Sequence, residues 1–288
     1  MSSDSYERLI RRISNWAQTN EHIQSVIIVG SRARPQESFD FYSDLDLIIF
    51  TSTVEELTLY HEWISELGRV WIADLDKTGP GDPEWFVVFE NGQKADFLIA
   101  QAQKHLNLGQ LIQKSPYRQV LMKGWQILFN RWGSPSITED DLGIEVSMSQ
   151  VEASELVRHI NQTLILAHRA AKFIGRHERW YGQLMLSKIR QHLLWLIEEH
   201  AQISTSGEVD TWYDGRFIEQ WAAPSIKERL PDIFAQYDLK DMARALHAIL
   251  SIAHQMASDI AKYNEIPYPT AGQKATFDWL ISVVIPPD

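Results

Sequence analysis

The chain has 288 residues, 44% of them hydrophobic and 11% aromatic, which supports a packed core in one large domain or two ordinary ones and excludes a disordered chain. Its formal net charge of −11 disfavours nucleic acid and anionic membranes as partners, and its lack of cysteine excludes disulfides, zinc–thiolate sites and thiol nucleophiles. The first residues lack the apolar core of a signal peptide and no run approaches the ~20 apolar residues of a membrane span, so we expect a cytoplasmic protein.

The first half of the chain alternates between helical and strand patterns. Residues 4–19 carry apolar side chains at helical spacing, and a second helix is expected from its cap at Thr53 to about Leu67. Short apolar runs predict strands at Ile23–Val29, Leu45–Phe50, Arg69–Ala73, Trp85–Phe89 and Lys94–Ile99. The segment 74–84 contains two Pro and two Gly and is expected to be a loop. Asn91-Gly92 separates the last two runs, which is the strongest short-range signal for a β-hairpin. We therefore predict a mixed sheet with packed helices over residues 21–100.

The second half of the chain has helical patterns and almost no strand signal. Apolar stripes at helical spacing run from Val151 to Ile174, from Leu184 to Ile197 and from Leu239 to Met256. Residues 132–143 have the turn and charge content of a linker. We expect an α/β domain with a mixed sheet over residues 1–145 and an all-α helical bundle over residues 146–288, with a ligand cleft between them.

Three aspartates are the candidate metal ligands. Asp44 and Asp46 are two residues apart at a predicted strand, so their carboxylates project to one face, where each raises the pKa of the other. Such a pair is tolerated when a divalent cation lies between its members, and Mg²⁺ typically takes one or two carboxylates plus substrate phosphates. Asp96 lies in an otherwise apolar strand, where a buried charge should bind metal or be paired, the alternative partner being Lys94 on the same face. Three carboxylates make two metal ions roughly 3.5–4 Å apart feasible.

The loop after the first predicted strand has the residues of a phosphate site. Gly30 lets the backbone approach a ligand closely, and Ser31 offers a hydroxyl and an N–H to a phosphate oxygen. Arg32 and Arg34 add planar forks of donors, although ordinary surface charges are the alternative for both. A phosphate binder next to a metal binder predicts a site for a nucleoside triphosphate with Mg²⁺.

These residues carry a resemblance to known proteins. The chain resembles the nucleotidyltransferase superfamily, whose pattern is GS, then DxD, then a distant D. The matching residues here are Gly30-Ser31, Asp44-Leu45-Asp46 and Asp96. The segments GSRARP…FYSDLDLIIF and EWFVVFENGQKADFLI, and later Trp212-Tyr213 with Gly215-Arg216, resemble the aminoglycoside 6-adenylyltransferase (streptomycin adenylyltransferase) family. The resemblance covers most of the chain and implies an α/β nucleotidyltransferase domain followed by a helical acceptor-binding domain.

The activity that the resemblance implies is transfer of AMP from ATP to an acceptor hydroxyl, with release of pyrophosphate. Asp44 and Asp46 would hold Mg²⁺ across the phosphates, and Asp96 would lie beside the acceptor and help to bind a second ion. Ser31 and Arg32 would hold the triphosphate. The family suggests an aminoglycoside or similar small hydroxylated compound as acceptor, and an acidic cleft would suit such a polycation.

The general base is the least determined part of the site. Related enzymes use a carboxylate, in some from the helical half, and no position here matches it well. Glu178 is the candidate, against the alternative of a solvated helix start with local ion pairs, and Asp96 could act as base instead. The helical histidines have no metal-ligand pattern and are expected to be surface or core residues: His159, His168 and His192. Four aromatic residues could stack on a base or sugar ring, but most of them are expected to lie in the core: Trp180, Tyr181, Trp212 and Tyr213.

Two other functions remain open at this point. A nucleotidyltransferase acting on RNA would need a basic groove, which the net charge disfavours, whereas a protein acceptor is compatible with the sequence. A catalytically inactive module that binds ATP or a partner is the non-enzymatic alternative. The three aspartates favour the enzyme, and the unassigned base favours the inactive module.

Overall fold

The computed structural model describes residues 3–33, 43–103, 109–110, 112, 116, 120–121, 123–132, 151–211 and 213–284. The chain divides into two compact units, Met1–Ile144 and Glu145–Asp288. Arg34, Trp212 and nearly all of the predicted linker lie outside the described residues.

The first unit is built on a mixed sheet of six strands among its described residues. The strands are β1 (Ile23–Val29), β2 (Leu45–Thr51), β3 (Val70–Lys77), β4 (Pro83–Phe89), β5 (Lys94–Gln101) and β6 (Trp125–Asn130). Helices α1 (Ser3–Thr19), α2 (Val54–Leu59) and α3 (Glu62–Leu67) belong to the same unit. Short 3₁₀ turns follow β1 at Gly30–Ala33 and β4 at Glu90–Gly92.

The strand order across the sheet is β3-β4-β5-β2-β1-β6. Neighbouring strands are antiparallel except β2 and β5, which run parallel. The predicted mixed sheet is therefore confirmed. Strand β6 was not predicted, because it is an edge strand whose side chains are mostly half-buried and form no β-branched run. The loop expected after Ala73 begins later, since β3 continues to Lys77 by pairing with β4.

The two faces of the sheet have different surroundings. One face packs against α1, α2 and α3, in a core that includes Ile13 and Phe97. The other face buries alternate residues of the same strands, among them Ile48, Leu98 and Ala100. Because side chains on a strand alternate with a period of two, residues two positions before Ile48 and Leu98 continue this second face.

The helix predicted from Thr53 to Leu67 is two helices, α2 and α3, and a tertiary contact explains the break. In a continuous helix the Leu57 carbonyl would accept from the N–H of residue 61. It accepts instead from the indole N–H of Trp63 at 3.1 Å and of Trp85 at 2.9 Å. Both buried indole donors are thereby satisfied, at the expense of one helical hydrogen bond.

The second unit is helical, and its described residues contain no strand. Its helices are α4 (Ala153–Gly175), α5 (Arg179–Ser204), α6 (Ile218–Trp221), α7 (Pro224–Lys227), α8 (Leu239–Tyr263) and α9 (Ala271–Val284). The three long helices coincide with the three predicted apolar stripes, whose buried residues form one core. None of the helices in the described ranges has the length and apolar character needed to cross a membrane.

Some side chains of this unit were wrongly expected to lie in the core. Trp180 is 79% exposed and Tyr213 is 54% exposed, and Leu184 also faces solvent. Trp180 and Leu184 are one turn apart on α5, on the side away from its buried residues, which include Met185 and Ile189. The expectation failed because apolar or aromatic character alone does not decide burial, and Trp180 and Leu184 lie on the exposed side of α5.

Candidate active site

The β2–β5 pairing brings the predicted metal ligands together. These strands are parallel, with Leu45 opposite Ala95 and Asp46 directly opposite Asp96. Asp44 immediately precedes β2 and therefore lies beside the first residue of β5, Lys94. We call Asp44, Asp46 and Asp96 the carboxylate cluster. All three continue the sheet face that buries Ile48 and Leu98, at the end where that apolar core stops.

Lys94 lies between two members of the carboxylate cluster. Its ammonium Nζ is 2.9 Å from Asp44 Oδ2 and 2.7 Å from Asp96 Oδ2. The sequence left open whether Asp96 pairs with Lys94, and the structure contains this pair, together with a second pair to Asp44. Asp96 is the more buried acid, with 15% of its side chain exposed against 40% for Asp44.

The glycine that begins the 3₁₀ turn is in close contact with the carboxylate cluster. Gly30 has φ +71°, a left-handed conformation that L-residues other than glycine rarely adopt. A Cβ atom at this position would overlap Asp46 Oδ2. Glycine is therefore required here for two separate reasons, the backbone angle and the space that the Asp46 carboxylate occupies. Ser31 follows in the same turn.

Arg32 binds the backbone that carries Asp44. Its Nε donates to the carbonyls of Ser43 at 3.2 Å and Asp44 at 3.0 Å, and its Nη2 donates to Ser43 at 2.7 Å. The guanidinium also stacks on Tyr6, 3.7 Å from the ring centroid. These contacts position Asp44, whereas the binding of phosphate by Arg32 stays a prediction.

Tyr6 contacts both the Arg32 side chain and the first residue of β5. Its hydroxyl accepts from the backbone N–H of Lys94 at 3.2 Å and donates to the Lys94 carbonyl at 3.4 Å. The ring that supports Arg32 on one side of the site therefore also fixes the start of β5. The backbone at both Asp44 and Lys94 is therefore held by side chains from α1 and the 3₁₀ turn.

Burial and like charges define the electrostatics of the site. Burial raises the pKa of the Asp96 carboxyl, although the hydrogen bond from Lys94 opposes the change. Burial also raises the pKa of Glu84 on β4, and the negative charges of Asp96 and Asp46 raise it further. Sequence reasoning missed Glu84, because the segment that contains it was interpreted as a loop. Strand β4 begins at Pro83, and alternation from Phe86, which is opposite Asp96, puts Glu84 on the same face.

The donor set suits a hard divalent cation. The carboxylate cluster offers only oxygen ligands, and Asp96 Oδ1 is buried without a hydrogen-bond partner. Within the described residues, no three histidine, cysteine, aspartate or glutamate side chains are grouped closely enough to hold a metal ion. A site of one or two carboxylates completed by substrate phosphates is what Mg²⁺ typically uses, so the residues present fit that ion.

Glu178 belongs to the second unit. It is exposed and immediately precedes α5, and its side chain makes no capping hydrogen bond. No described residue forms an ion pair with it, so the local ion pairs considered from the sequence are not found within the described part of the chain. Its catalytic role stays a prediction.

Two histidines of the helical unit, His159 and His192, pack against each other and against neighbouring side chains. His159 is buried, stacks on Trp195 with ring centroids 4.0 Å apart, and its Nδ1 lies 3.3 Å from Nδ1 of His192. Arg158 contributes a hydrogen bond of 2.9 Å to Nε2 of His159. Burial, together with the neighbouring charges of Arg158 and His192, lowers the pKa of His159 to about 4. His159 is therefore neutral near pH 7, as part of the packed core.

The family model described as streptomycin adenylyltransferase matches residues 4–283, nearly the whole chain. The chain belongs to the streptomycin adenylyltransferase family. As a member of this family the protein is an adenylyltransferase. No curated protein matches it.

Two solved structures are similar to this adenylyltransferase. The chain is 12% identical to an aminoglycoside 6-adenyltransferase from Bacillus subtilis, with 99% of each chain covered and a TM-score of 0.46. It is 13% identical to a nucleotidyltransferase-like protein from Exiguobacterium sibiricum 255-15, covering 97% of this chain and 89% of that one, with a TM-score of 0.36.

Proposed function

We propose that this adenylyltransferase transfers AMP from ATP to a hydroxyl group of a small cationic molecule of the aminoglycoside class, with Mg²⁺, and releases pyrophosphate. Family membership supports the nucleotidyl transfer. The observation that carries the proposal is the register of β2 and β5, in which Asp46 lies directly opposite Asp96 with Asp44 two residues away. Lys94 offsets part of the repulsion between these carboxylates, and the buried Asp96 Oδ1, which has no hydrogen-bond partner, supports a further cation at the site.

In the proposed site, one or two members of the carboxylate cluster would hold Mg²⁺ together with the phosphates of ATP. When bound, Mg²⁺ would neutralise the charge that develops on the phosphate oxygens during an in-line displacement. The absence of a Cβ at Gly30 keeps Asp46 in place, and Arg32 keeps Asp44 in place through the Ser43 and Asp44 carbonyls. Ser31, at the start of the 3₁₀ turn, is the proposed donor to a phosphate oxygen.

The proposed chemistry is attack by the acceptor hydroxyl on the α-phosphorus of ATP. The acceptor O–P bond forms as the bond from the α-phosphorus to the pyrophosphate oxygen breaks. The hydroxyl proton moves to a carboxylate, and we assign this role to Asp96 rather than Glu178. Asp96 is on the same sheet face as the other two aspartates, whereas Glu178 is exposed in the helical unit.

The charge of the site supports a cationic acceptor. Glu84 shares the face of the carboxylate cluster, so among the described residues these four carboxylates stand against the Lys94 ammonium and the Arg32 guanidinium. Amino groups on an acceptor would be attracted to this region, and their charge would offset the mutual repulsion of the acids. An anionic acceptor such as RNA would be repelled.

A pyrophosphate-release assay with ATP and Mg²⁺ tests the proposal against a panel of aminoglycosides and neutral polyols. We expect release only with a cationic hydroxylated acceptor, and a loss of at least ~100-fold in the Asp46→Asn variant. Glu62→Gln is the matched control, because Glu62 is an exposed acid on α3, the helix layer on the opposite face of the sheet. Equal activity of Asp46→Asn and Glu62→Gln would reject the site, and release with no acceptor would reject the transfer.

A further inference from the structure

We propose that Lys94 is a displaceable counter-ion of the carboxylate cluster, which excludes free divalent metal and gives way when metal arrives together with the nucleotide. This inference rests on the proposed function, because it concerns the same metal site. It makes Lys94 a positioning residue that sets the order in which metal and nucleotide bind.

The first support is the competition of Lys94 and metal for the same oxygen atoms. The Lys94 ammonium makes its contacts with Oδ2 of Asp44 and Oδ2 of Asp96, at 2.9 Å and 2.7 Å. A Mg²⁺ ion would bind carboxylate oxygens at about 2.0–2.1 Å. An ammonium and a metal ion cannot both lie between these two Oδ2 atoms at such distances. Metal binding through these two Oδ2 atoms therefore requires the ammonium to leave.

The second support is that only the side chain of Lys94 has to move. Its backbone N–H and carbonyl are both bound by the Tyr6 hydroxyl, and its neighbour on β2 is fixed by Arg32. The side chain is 36% exposed and has four rotatable methylene groups that can carry the ammonium toward solvent. The carboxylates thus keep their positions while the cation between them is exchanged.

The third support is the balance of charge before and after exchange. A free metal ion would drive the Lys94 ammonium from its two hydrogen-bonded acids, and Glu84 on β4 is then a described acid whose charge still acts on it. A metal ion that arrives with ATP brings the triphosphate, to which a displaced ammonium can bind, as lysine commonly does with phosphate. The exchange is therefore favoured more strongly when nucleotide accompanies the metal.

The experiment measures Mn²⁺ binding by electron paramagnetic resonance, with and without a non-hydrolysable ATP analogue. Without nucleotide, we expect Lys94→Met to bind Mn²⁺ at least ~10-fold more tightly than the wild type, since one competing positive charge is removed. With saturating Mn²⁺, the same variant should bind the ATP analogue less tightly. Lys94→Arg should restore the weak binding of free Mn²⁺.

Two further variants exclude trivial explanations. Lys77→Met removes an exposed lysine at the end of β3 and should leave Mn²⁺ affinity unchanged, which separates a local effect from a change in net charge. Lys94→Gln provides a second neutral variant if Lys94→Met does not fold, and the same increase in Mn²⁺ affinity is expected.

The outcomes separate this inference from the proposed function. Unchanged or weaker Mn²⁺ binding in the neutral Lys94 variants, with binding still abolished by Asp46→Asn, would overturn the role of Lys94 and leave the metal site intact. Failure of every variant and of the wild type to bind Mn²⁺, even with nucleotide, would overturn the metal site and with it the proposed function.

Discussion

Replacing Gly30 by alanine separates the contribution of this glycine to stability from its contribution to activity. At φ +71° an alanine costs about 1–2 kcal/mol of folding free energy. Its Cβ would also overlap Asp46 Oδ2, which must move by about 1 Å to reach van der Waals distance. A displacement of about 1 Å in an active site can reduce the rate by about 100-fold. We therefore expect a modest loss of stability and a much larger loss of transfer activity.

Gly81→Ala is the matched control for this prediction. Gly81 also has a positive φ, +101°, but a Cβ there would have no heavy atom within 4 Å. The control therefore shares the backbone strain without the overlap at Asp46. Urea unfolding gives the stability of both variants, and kcat/KM is then compared per amount of folded protein. Gly30→Ala with the kcat/KM of Gly81→Ala would refute the argument that Gly30 positions Asp46.

Three further predictions concern the remaining charged groups. Arg32→Lys should lower the free energy of unfolding by about 1–2 kcal/mol in urea, because lysine cannot replace the fork that binds the Ser43 and Asp44 carbonyls; an unchanged midpoint would contradict this. His159, with its pKa lowered by burial from 6.5 to about 4, stays neutral when the unfolded chain gains a proton. Stability should therefore fall as the pH is lowered from 6.5 to 4, and this loss should be smaller in His159→Phe. Equal pH dependence of the thermal unfolding midpoint in the wild type and His159→Phe would contradict this prediction. Glu198, with its pKa raised by burial from 4.5 to about 7, keeps its proton when the unfolded chain has lost it. Stability should therefore fall as the pH rises from 4.5 to 7, and Glu198→Gln should melt higher than the wild type at pH 7.5 but not at pH 4.5.

Local sequence signals predicted the elements whose structure depends on neighbouring residues. Asn91-Gly92 predicted the β4–β5 hairpin, and both residues have the positive φ angles that such a turn uses. The period of two also predicted that Lys94 and Asp96 share a face. Apolar periodicity predicted the three long helices, because helical spacing is also set by residues close together in the sequence.

Features that depend on distant contacts could not be predicted from the sequence. The break between α2 and α3 results from indole donors that reach the Leu57 carbonyl, one of them from Trp85, 28 residues along the chain. The contact of Lys94 with Asp44 depends on the register of two parallel strands, which no local pattern specifies. Arg32 looked like a phosphate ligand, yet its guanidinium binds carbonyls eleven and twelve residues away.

The most direct test of the proposed reaction follows the α-phosphate of ATP. The protein is incubated with Mg²⁺, an aminoglycoside and ATP that is isotopically labelled at the α-phosphorus, and the products are separated. The proposed function predicts that the label moves to the acceptor as an adenylyl group, and that Asp46→Asn leaves it in ATP. Label that appears only as free AMP, or that stays in ATP with every acceptor while ATP still binds, would contradict adenylyl transfer to a small molecule.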